Sequence, residues 1–190
     1  MKTTYVENQE FKNQNYTDKE LSKEYESCTF VNCTFANVDL SGIHFFECKF
    51  EDCDLSMAKI DGAIFRDSKF LNCKLMGLRF DACDVFLISF SFENCILNYA
   101  SFYKLKIKQT KFKNCEIKEA EFVEADLTGS MFDNCNLDGA IFDRTKLEKS
   151  DFITSYNYTI DPEENKLKKA KFSSSGLSGL LEKYNIIVYA

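Results

Sequence analysis

Phe30-Val31-Asn32-Cys33-Thr34-Phe35-Ala36-Asn37-Val38-Asp39-Leu40-Ser41-Gly42-Ile43-His44-Phe45-Phe46-Glu47-Cys48-Lys49-Phe50 decides the fold. Every fifth residue is large and apolar: Phe30, Phe35, Leu40, Phe45, Phe50. Stepping on by five gives Leu55, Ile60, Phe65, Phe70, Leu75, Phe80 and Val85, twelve centres without an exception. A second run of thirteen starts at Phe92 and ends at Phe152, through Leu97, Phe102, Ile107, Phe112 and their successors. Composition that is 45% hydrophobic does not produce such a run by chance.

Two residues before each centre stands a second set: Cys28, Cys33, Val38, Ile43, Cys48 and Cys53 in the first run, and Cys95, Ala100, Ala120, Ala125, Ser130 and Cys135 in the second. All nine cysteines fall in this phase. A position shared by Cys, Ala, Ser and Thr selects volume, and free Cys packs as a small hydrophobe. The odd number and the absence of any CxxC argue against a disulfide framework or a zinc site.

A period of five matches neither the helix nor the strand. It fits a chain that turns a corner every five residues, with the centre and the small residue inward and three residues outward. Four sides make a coil of 20 residues, so centres 20 apart should be alike. Phe30, Phe50 and Phe70 are, and so are Phe92, Phe112, Phe132 and Phe152. The expected fold is all-β: a right-handed quadrilateral parallel β-helix of about six coils, a rod on the order of 30 Å long. The step from Val85 to Phe92 is seven, so two extra residues are expected near Phe86–Ser89. If they bulge, the all-Phe side continues through the break.

Solenoids need caps. Residues 1–27 are expected to form an N-terminal cap (a short strand and turn), 28–152 the β-helix, and 153–190 a C-terminal cap. In the last segment, Tyr156–Pro162 reads as a strand into a turn and Leu167–Phe172 as another short strand. Leu177, Leu180, Leu181 and Tyr184 have helical spacing, and Ile186, Ile187, Val188 and Tyr189 read as a terminal strand. Leu177, Leu180, Leu181, Tyr184, Ile186, Ile187 and Val188 are candidate dimer contacts.

Catalytic chemistry finds little support. His44 is the sole histidine and falls in an outward phase, with no sequence neighbour suited to a triad or metal. No phosphate-binding loop, nucleophile elbow or paired HxxxH occurs. No cofactor, metal or enzymatic activity is expected. No apolar run approaches the length of a membrane span, and the start of the chain lacks the apolar stretch of a secretory signal, so a cytoplasmic location is expected.

The outward positions carry the functional expectations. Phe46 and Phe86 are candidate exposed apolar contacts on one side, with Arg66 between them. Asp133, Asp138, Asp143 and Glu148 occupy the same outward phase on four successive sides and are a candidate acidic partner surface. Lys104, Lys106, Lys108, Lys111, Lys113 and Lys118 form a basic cluster against the single Glu116; direct nucleic-acid binding through it is not the favoured reading.

Units such as Ala125-Asp126-Leu127-Thr128-Gly129 and Cys135-Asn136-Leu137-Asp138-Gly139 resemble the pentapeptide-repeat family over about residues 28–152. Within it, Gly179-Leu180-Leu181-Glu182-Lys183-Tyr184-Asn185-Ile186 resembles the C-terminal segment of the Qnr, MfpA and McbG quinolone-resistance and microcin-immunity type. That resemblance implies a homodimer through the C-terminal segment and a DNA-mimic that binds DNA gyrase or topoisomerase IV and protects it from quinolones or toxins. The alternative is an interaction scaffold for another protein partner.

Overall fold

The computed structural model describes residues 4–187. Eleven short parallel strands form two sheets that run the length of a rod. One sheet stacks β1 (Tyr5–Glu7), β3 (Glu24–Glu26), β5 (His44–Phe46) and β7 (Ile64–Arg66). The other stacks β2 (Glu10–Lys12), β4 (Thr29–Val31), β6 (Lys49–Glu51), β8 (Ser68–Leu71), β9 (Phe90–Glu93), β10 (Lys111–Lys113) and β11 (Met131–Asp133). The remaining two sides are stacked through single bridges, such as Thr34 to Asp54 and Asp39 to Lys59. We number the sides in chain order: face 1 carries Tyr25, Phe45 and Phe65, face 2 Phe30 and Phe50, face 3 Phe35 and Leu55, and face 4 Leu40 and Ile60.

The corner is made by the residue two after each centre, which takes a left-handed backbone. Asn32, Asn37, Gly42, Glu47 and Asp52 have φ between 51° and 65°. This turns the chain and aims the amide at the next coil: Asn32 N–H donates to the Glu51 carbonyl at 2.9 Å and Asn37 N–H to Ser56 at 3.0 Å. Non-glycine residues resist this conformation by about 1–2 kcal/mol each, yet 23 of the described ones adopt it. Asparagine, which tolerates it best, lines the corner after face 2. There the side-chain amide of Asn94 donates to Asn72 at 2.9 Å, Asn114 to Asn94 at 3.0 Å, and Asn134 to Asn114 at 2.9 Å.

Inside, the face 2 rings form a continuous stack from Phe11 to Phe172. Successive centroids lie 5.0 Å apart for Phe30–Phe50 and Phe50–Phe70, 5.4 Å for Phe70–Phe92 across the break, and 4.7 Å for Phe112–Phe132. Rings of different faces meet edge-on, as Phe45 of face 1 and Phe50 of face 2 do at 5.3 Å and 70°, and Phe112 of face 2 and Phe122 of the opposite face 4 at 6.2 Å and 87°. The small inward position does more than fit. Its S–H or O–H donates to the carbonyl of a centre one coil below: Cys53 to Phe30 at 3.3 Å, Cys73 to Phe50 at 3.4 Å, Ser130 to Ile107 at 3.2 Å and Ser150 to Leu127 at 2.7 Å. All nine cysteines are free and buried.

Three expectations change. Residues 1–27 are not a cap outside the repeat from Tyr5 onward. β1 pairs with β3 and β2 with β4, and Val6, Phe11, Tyr16 and Leu21 are centres of a further coil. Its register is 19 residues, Tyr5 facing Glu24, because Tyr25 follows Leu21 by four. Second, Val85 is not a centre: it is 60% exposed. The coil lengthens to 22 residues between Arg79, which faces Ser101, and Ser68, which faces Phe90. The Asp84 N–H still bonds the Ala63 carbonyl as the Ile64 N–H bonds Ile43, so the two extra residues lie between Asp84 and Phe90, over the expected stretch, and Phe90 fills the interior against Phe80 and Phe92. Third, the coil continues past 152 through bridges at Tyr156, Lys166 and Lys171, with no strand over 156–162 or 167–172. The helix at the C-terminus is a 3-10 helix, Ser174–Leu180, followed by a 3-10 turn, Glu182–Tyr184. Gly176 and Gly179 let it lie flat on Tyr158, since a Cβ there would stand 2.0 Å and 2.1 Å from Tyr158 atoms. Ile186 and Ile187 pair in no strand; Val188 and Tyr189 lie outside the described residues.

Candidate interaction surfaces

Among the described residues no His, Cys, Asp or Glu groups converge on a metal site, and no helix is long and apolar enough to cross a membrane. The His44 imidazole stands 3.5 Å from the Glu24 carboxylate and 5.7 Å, ring to ring, from Phe46. The other candidate residues lie on the outward faces of the rod.

The break in the repeat builds one distinct feature. The two added residues cannot enter the filled interior, so the chain loops out over face 1. Asp84 N–H donates to the Ala63 carbonyl at 2.9 Å, and the Asp84 carboxylate accepts the Phe86 N–H at 3.0 Å, closing a 3-10 turn, Val85–Leu87. The chain is tied back where Ser89 N–H donates to the Phe65 carbonyl at 2.9 Å and the Ser89 hydroxyl to Asp67 at 2.9 Å. Between these anchors Phe86 is 85% exposed. Its expected companion behaves differently. Phe46 is half-buried, because the Arg66 guanidinium, in register one coil above, covers its ring at 4.1 Å. The apolar apex is thus Val85 and Phe86, with Ile64 and Ile88 partly exposed on the same face.

The charges sort by coil. Asp133, Asp138, Asp143 and Glu148 stand on faces 2, 3, 4 and 1 of one coil, so the structure does not bring them onto one surface. Two are engaged locally: Asp143 pairs with Arg144 at 2.9 Å, and Asp133 accepts the Thr154 hydroxyl at 2.9 Å. The basic cluster is also largely matched by acids on neighbouring coils. Lys104 pairs with Glu124 at 3.6 Å, Lys108 with Asp126 at 3.4 Å and Lys113 with Glu93 at 2.8 Å; Lys118 pairs with Glu116 at 3.1 Å within its own coil. Burial works to raise the Asp126 pKa, but hydrogen bonds from the Thr128 hydroxyl and amide, together with Lys108, outweigh it and hold the carboxyl below its usual range.

A different basic stripe escapes the sequence reading. On face 1 and its corner, Lys146 and Lys166 face each other in register, with Lys149, Lys168 and Lys169 beside them. Lys149, Lys166, Lys168 and Lys169 make no ion pair among the described residues. Reading the outward positions at intervals of 20, which sets Lys149 beside Lys169, is the signal that finds it.

At the C-terminus, Leu177, Tyr184 and Ile186 are exposed and Ile187 is 81% exposed, whereas Leu180 packs on the core and Leu181 is partly buried. Lys183 fastens the arm to the last coil through Asp161 at 2.8 Å and Glu163 at 2.7 Å; those contacts raise the lysine pKa and lower both carboxyl pKa values. An open cleft of about 890 Å³ separates the arm from the coil, with Asp138, Tyr156, Tyr158 and Glu182 on its walls.

Family models match this chain in two adjoining stretches: the pentapeptide repeat region over residues 43–122 and pentapeptide repeats (8 copies) over 120–155. Together they span more than half of it. No curated protein sequence matches. Two solved structures share the fold. QnrB1, a plasmid-mediated fluoroquinolone resistance protein, has a TM-score of 0.58 at 20% identity, over 96% of this chain and 100% of its own. HetL, a pentapeptide repeat protein involved in heterocyst differentiation regulation from the cyanobacterium Nostoc sp. strain PCC 7120, has a TM-score of 0.62 at 18% identity, over 88% and 86%. At such identities the likeness is one of fold.

Proposed function

The chain belongs to the pentapeptide-repeat proteins, and from that premise we propose that it is a non-catalytic scaffold whose face 1 binds another protein through the Val85–Phe86 apex. The observation that carries this is the exposure of Phe86, 85%, at the place where the coil departs from its 20-residue register. An aromatic side chain held out by two backbone anchors loses little conformational freedom on binding and supplies the large apolar contact that dominates interface hot spots. The acidic groups beside it, Asp84 and Asp67, favour a partner that is basic around an apolar pocket.

A type II topoisomerase, DNA gyrase or topoisomerase IV, is the specific partner suggested by the likeness to QnrB1. In that reading the protein works in the cytoplasm and shields the enzyme from quinolones or toxins. The C-terminal arm, with Leu177, Tyr184, Ile186 and Ile187 outward, offers a second apolar surface suited to homodimer formation. The test is capture from the native cell with the wild-type chain and with Phe86→Ser, combined with a gyrase supercoiling assay with and without a quinolone. Loss of a captured protein with Phe86→Ser supports the scaffold reading. Equal capture by both sinks it, and an unchanged supercoiling response removes the topoisomerase.

A further inference from the structure

On one side of the rod the small inward position is the same residue six coils running. Ahead of the face 3 centres it is Cys33, Cys53, Cys73, Cys95, Cys115 and Cys135. Ahead of face 4 it varies through Val38, Ala58, Leu78 and Ala100, and ahead of face 1 through Ile43, Ala63, Cys83 and Leu105. Volume does not demand the repetition, since Ala, Ser and Thr serve elsewhere. Nor does hydrogen bonding, since the hydroxyls of Ser68, Ser130 and Ser150 donate to a carbonyl on the coil below as the thiols do. What the column repeats is sulfur. The six stand in register, because the amide after each cysteine donates to the carbonyl of the cysteine below: Asp54 to Cys33 at 3.0 Å, Lys74 to Cys53 and Ile96 to Cys73 at 2.9 Å, Glu116 to Cys95 and Asn136 to Cys115 at 3.0 Å. Four share one side-chain direction, with the thiols of Cys33, Cys53, Cys73 and Cys95 donating to the carbonyls of Phe11, Phe30, Phe50 and Phe70 at 3.3–3.4 Å. Parallel side chains on stacked strands place successive sulfurs one strand spacing apart, about 4.8 Å. The Cys115 thiol alongside it, together with burial, pushes the Cys95 thiol pKa up, so neighbouring sulfurs of the column feel one another.

Two sulfurs at that separation suit an ion between them. A metal–thiolate bond is about 2.3 Å long, so an ion in line with two sulfurs needs them about 4.6 Å apart. A disulfide fits less well. It needs Cβ atoms about 3.8 Å apart, and the hydrogen bonds between coils hold the stacked strands at the wider spacing. A tetrahedral ion does not fit either, because among the described residues no three His, Cys, Asp or Glu side chains gather at one point. We propose that the stacked cysteine pairs inside the rod, Cys33 with Cys53, Cys73 with Cys95 and Cys115 with Cys135, are binding sites for a soft divalent ion that takes two thiolates in line, of which mercury(II) is the type. Soft ions select thiolate ligands. Cys28 and Cys48 make a fourth pair in the adjoining column, stacked by the Lys49 amide on the Cys28 carbonyl at 2.9 Å. Cys83 has no partner in its own column, with Ala63 one coil below and Leu105 one coil above. Each ion displaces one proton from each of two thiols, with no change of oxidation state. The divalent ion and two thiolates are together neutral, whereas an uncompensated charge is costly to bury among phenylalanine rings. No cavity is required, since the ion occupies the line between two sulfurs already in place. The inference is independent of the Phe86 contact.

All these thiols are buried, so uptake by the folded chain waits on local opening of coils. Mercuric chloride is therefore added to the folded chain and, in a second sample, to the chain as it refolds from urea. Glutathione then strips ions held by a single sulfur. Native mass spectrometry is expected to count four ions per chain, one for each stacked pair. X-ray absorption is expected to show two sulfur neighbours at about 2.3 Å. The circular dichroism spectrum should be unchanged and the melting temperature higher, because a ligand of the folded state stabilises it. Zinc, added in the same way, should not be retained. Cys73→Ser is expected to lower the count to three and Cys83→Ser to leave it at four; serine keeps the donor and the small volume in both. The proposal is overturned by a chain that holds no ion in either sample, by a count that falls equally in the two variants, or by three or four sulfurs around the ion. A lower melting temperature also overturns it, since the ion would then be held by the thiols of the unfolded chain.

Discussion

Removing one ring from the middle of the face 2 stack tests whether the rod is held coil by coil. Phe112 is fully buried, lies 5.2 Å from Phe92 and 4.7 Å from Phe132 in stacked contact, and meets Phe102 and Phe122 edge-on. Phe112→Ala removes the side chain and leaves a cavity that flanking coils cannot close, since each is held at the strand spacing by its own hydrogen bonds. Core Phe→Ala changes cost about 3–5 kcal/mol, and each well-placed aromatic pair adds about 0.5–1.5 kcal/mol. We expect about 5 kcal/mol here, a large part of a typical domain's stability. Phe112→Leu, which keeps most of the volume, should cost about 1.5 kcal/mol. Phe172, at the end of the stack, is partly buried and stacks on one neighbour only, Phe152 at 5.3 Å; Phe172→Ala should cost about 2 kcal/mol. Urea denaturation followed by circular dichroism measures all three. Because neighbouring coils supply most of each coil's stability, Phe112→Ala should also broaden the transition as the two halves uncouple, and Phe172→Ala should leave it sharp. Equal losses at the centre and the end, or a loss below about 2 kcal/mol at Phe112, would refute the stacked-coil account.

Gly62, at φ +65° with open space around its Cα, isolates the corner conformation, so Gly62→Ala should cost about 1 kcal/mol in the same assay. Asn94→Ala, which removes a left-handed asparagine and its side-chain bonds to Asn72 and Asn114, should cost about 2 kcal/mol. Asp126, whose pKa is depressed in the folded chain, contributes stability that is present above the unfolded carboxyl pKa and lost as pH falls through the folded one; Asp126→Asn should therefore flatten the acid limb of the stability profile and lower stability at neutral pH. The Cys48 thiol is pushed up to about 12 by burial, and all nine thiols are buried, so a thiol-reactive disulfide reagent at pH 8 should label none in the native protein and nine after denaturation.

The interior was legible because its requirements are strict and local. A ring at Phe30 must meet a ring at Phe50, so the face 2 column could be written from spacing alone, and the fold with it. The errors have physical causes. Val85 keeps the five-residue step, but the chain leaves the coil after Asp84, and periodicity cannot tell an apolar residue that is inward from one carried out by a loop. At the N-terminus the four-residue step from Leu21 to Tyr25 breaks the phase, although Val6, Phe11, Tyr16 and Leu21 keep it among themselves. The cysteine position was read as volume; its hydrogen bond to a carbonyl 23 residues earlier depends on how coils superpose. The candidate surface was less legible. Phe86 was found by its outward phase, whereas the shielding of Phe46 by Arg66 required the register between coils, and the lysines at 146–169 emerge only when outward positions are compared at intervals of 20.

That last group separates what the outward residues do for folding from what they do for recognition. An exposed ion pair contributes about 0.2–1 kcal/mol, and pairs such as Lys113 with Glu93 add that much to the cohesion of adjacent coils. Among the described residues Lys149, Lys166, Lys168 and Lys169 have no such partner, and like charges at the coil spacing oppose cohesion by a comparable amount. Lys146, in register with Lys166, is drawn instead to Asp126 on the coil below, at 3.7 Å. Exposed Phe86 is similarly idle in the isolated chain: its side chain touches solvent while Phe80, Phe90 and Phe92 fill the interior beneath. Outward charge and apolar surface that add nothing to the cohesion of the coils are where a substitution can change recognition and leave the fold in place.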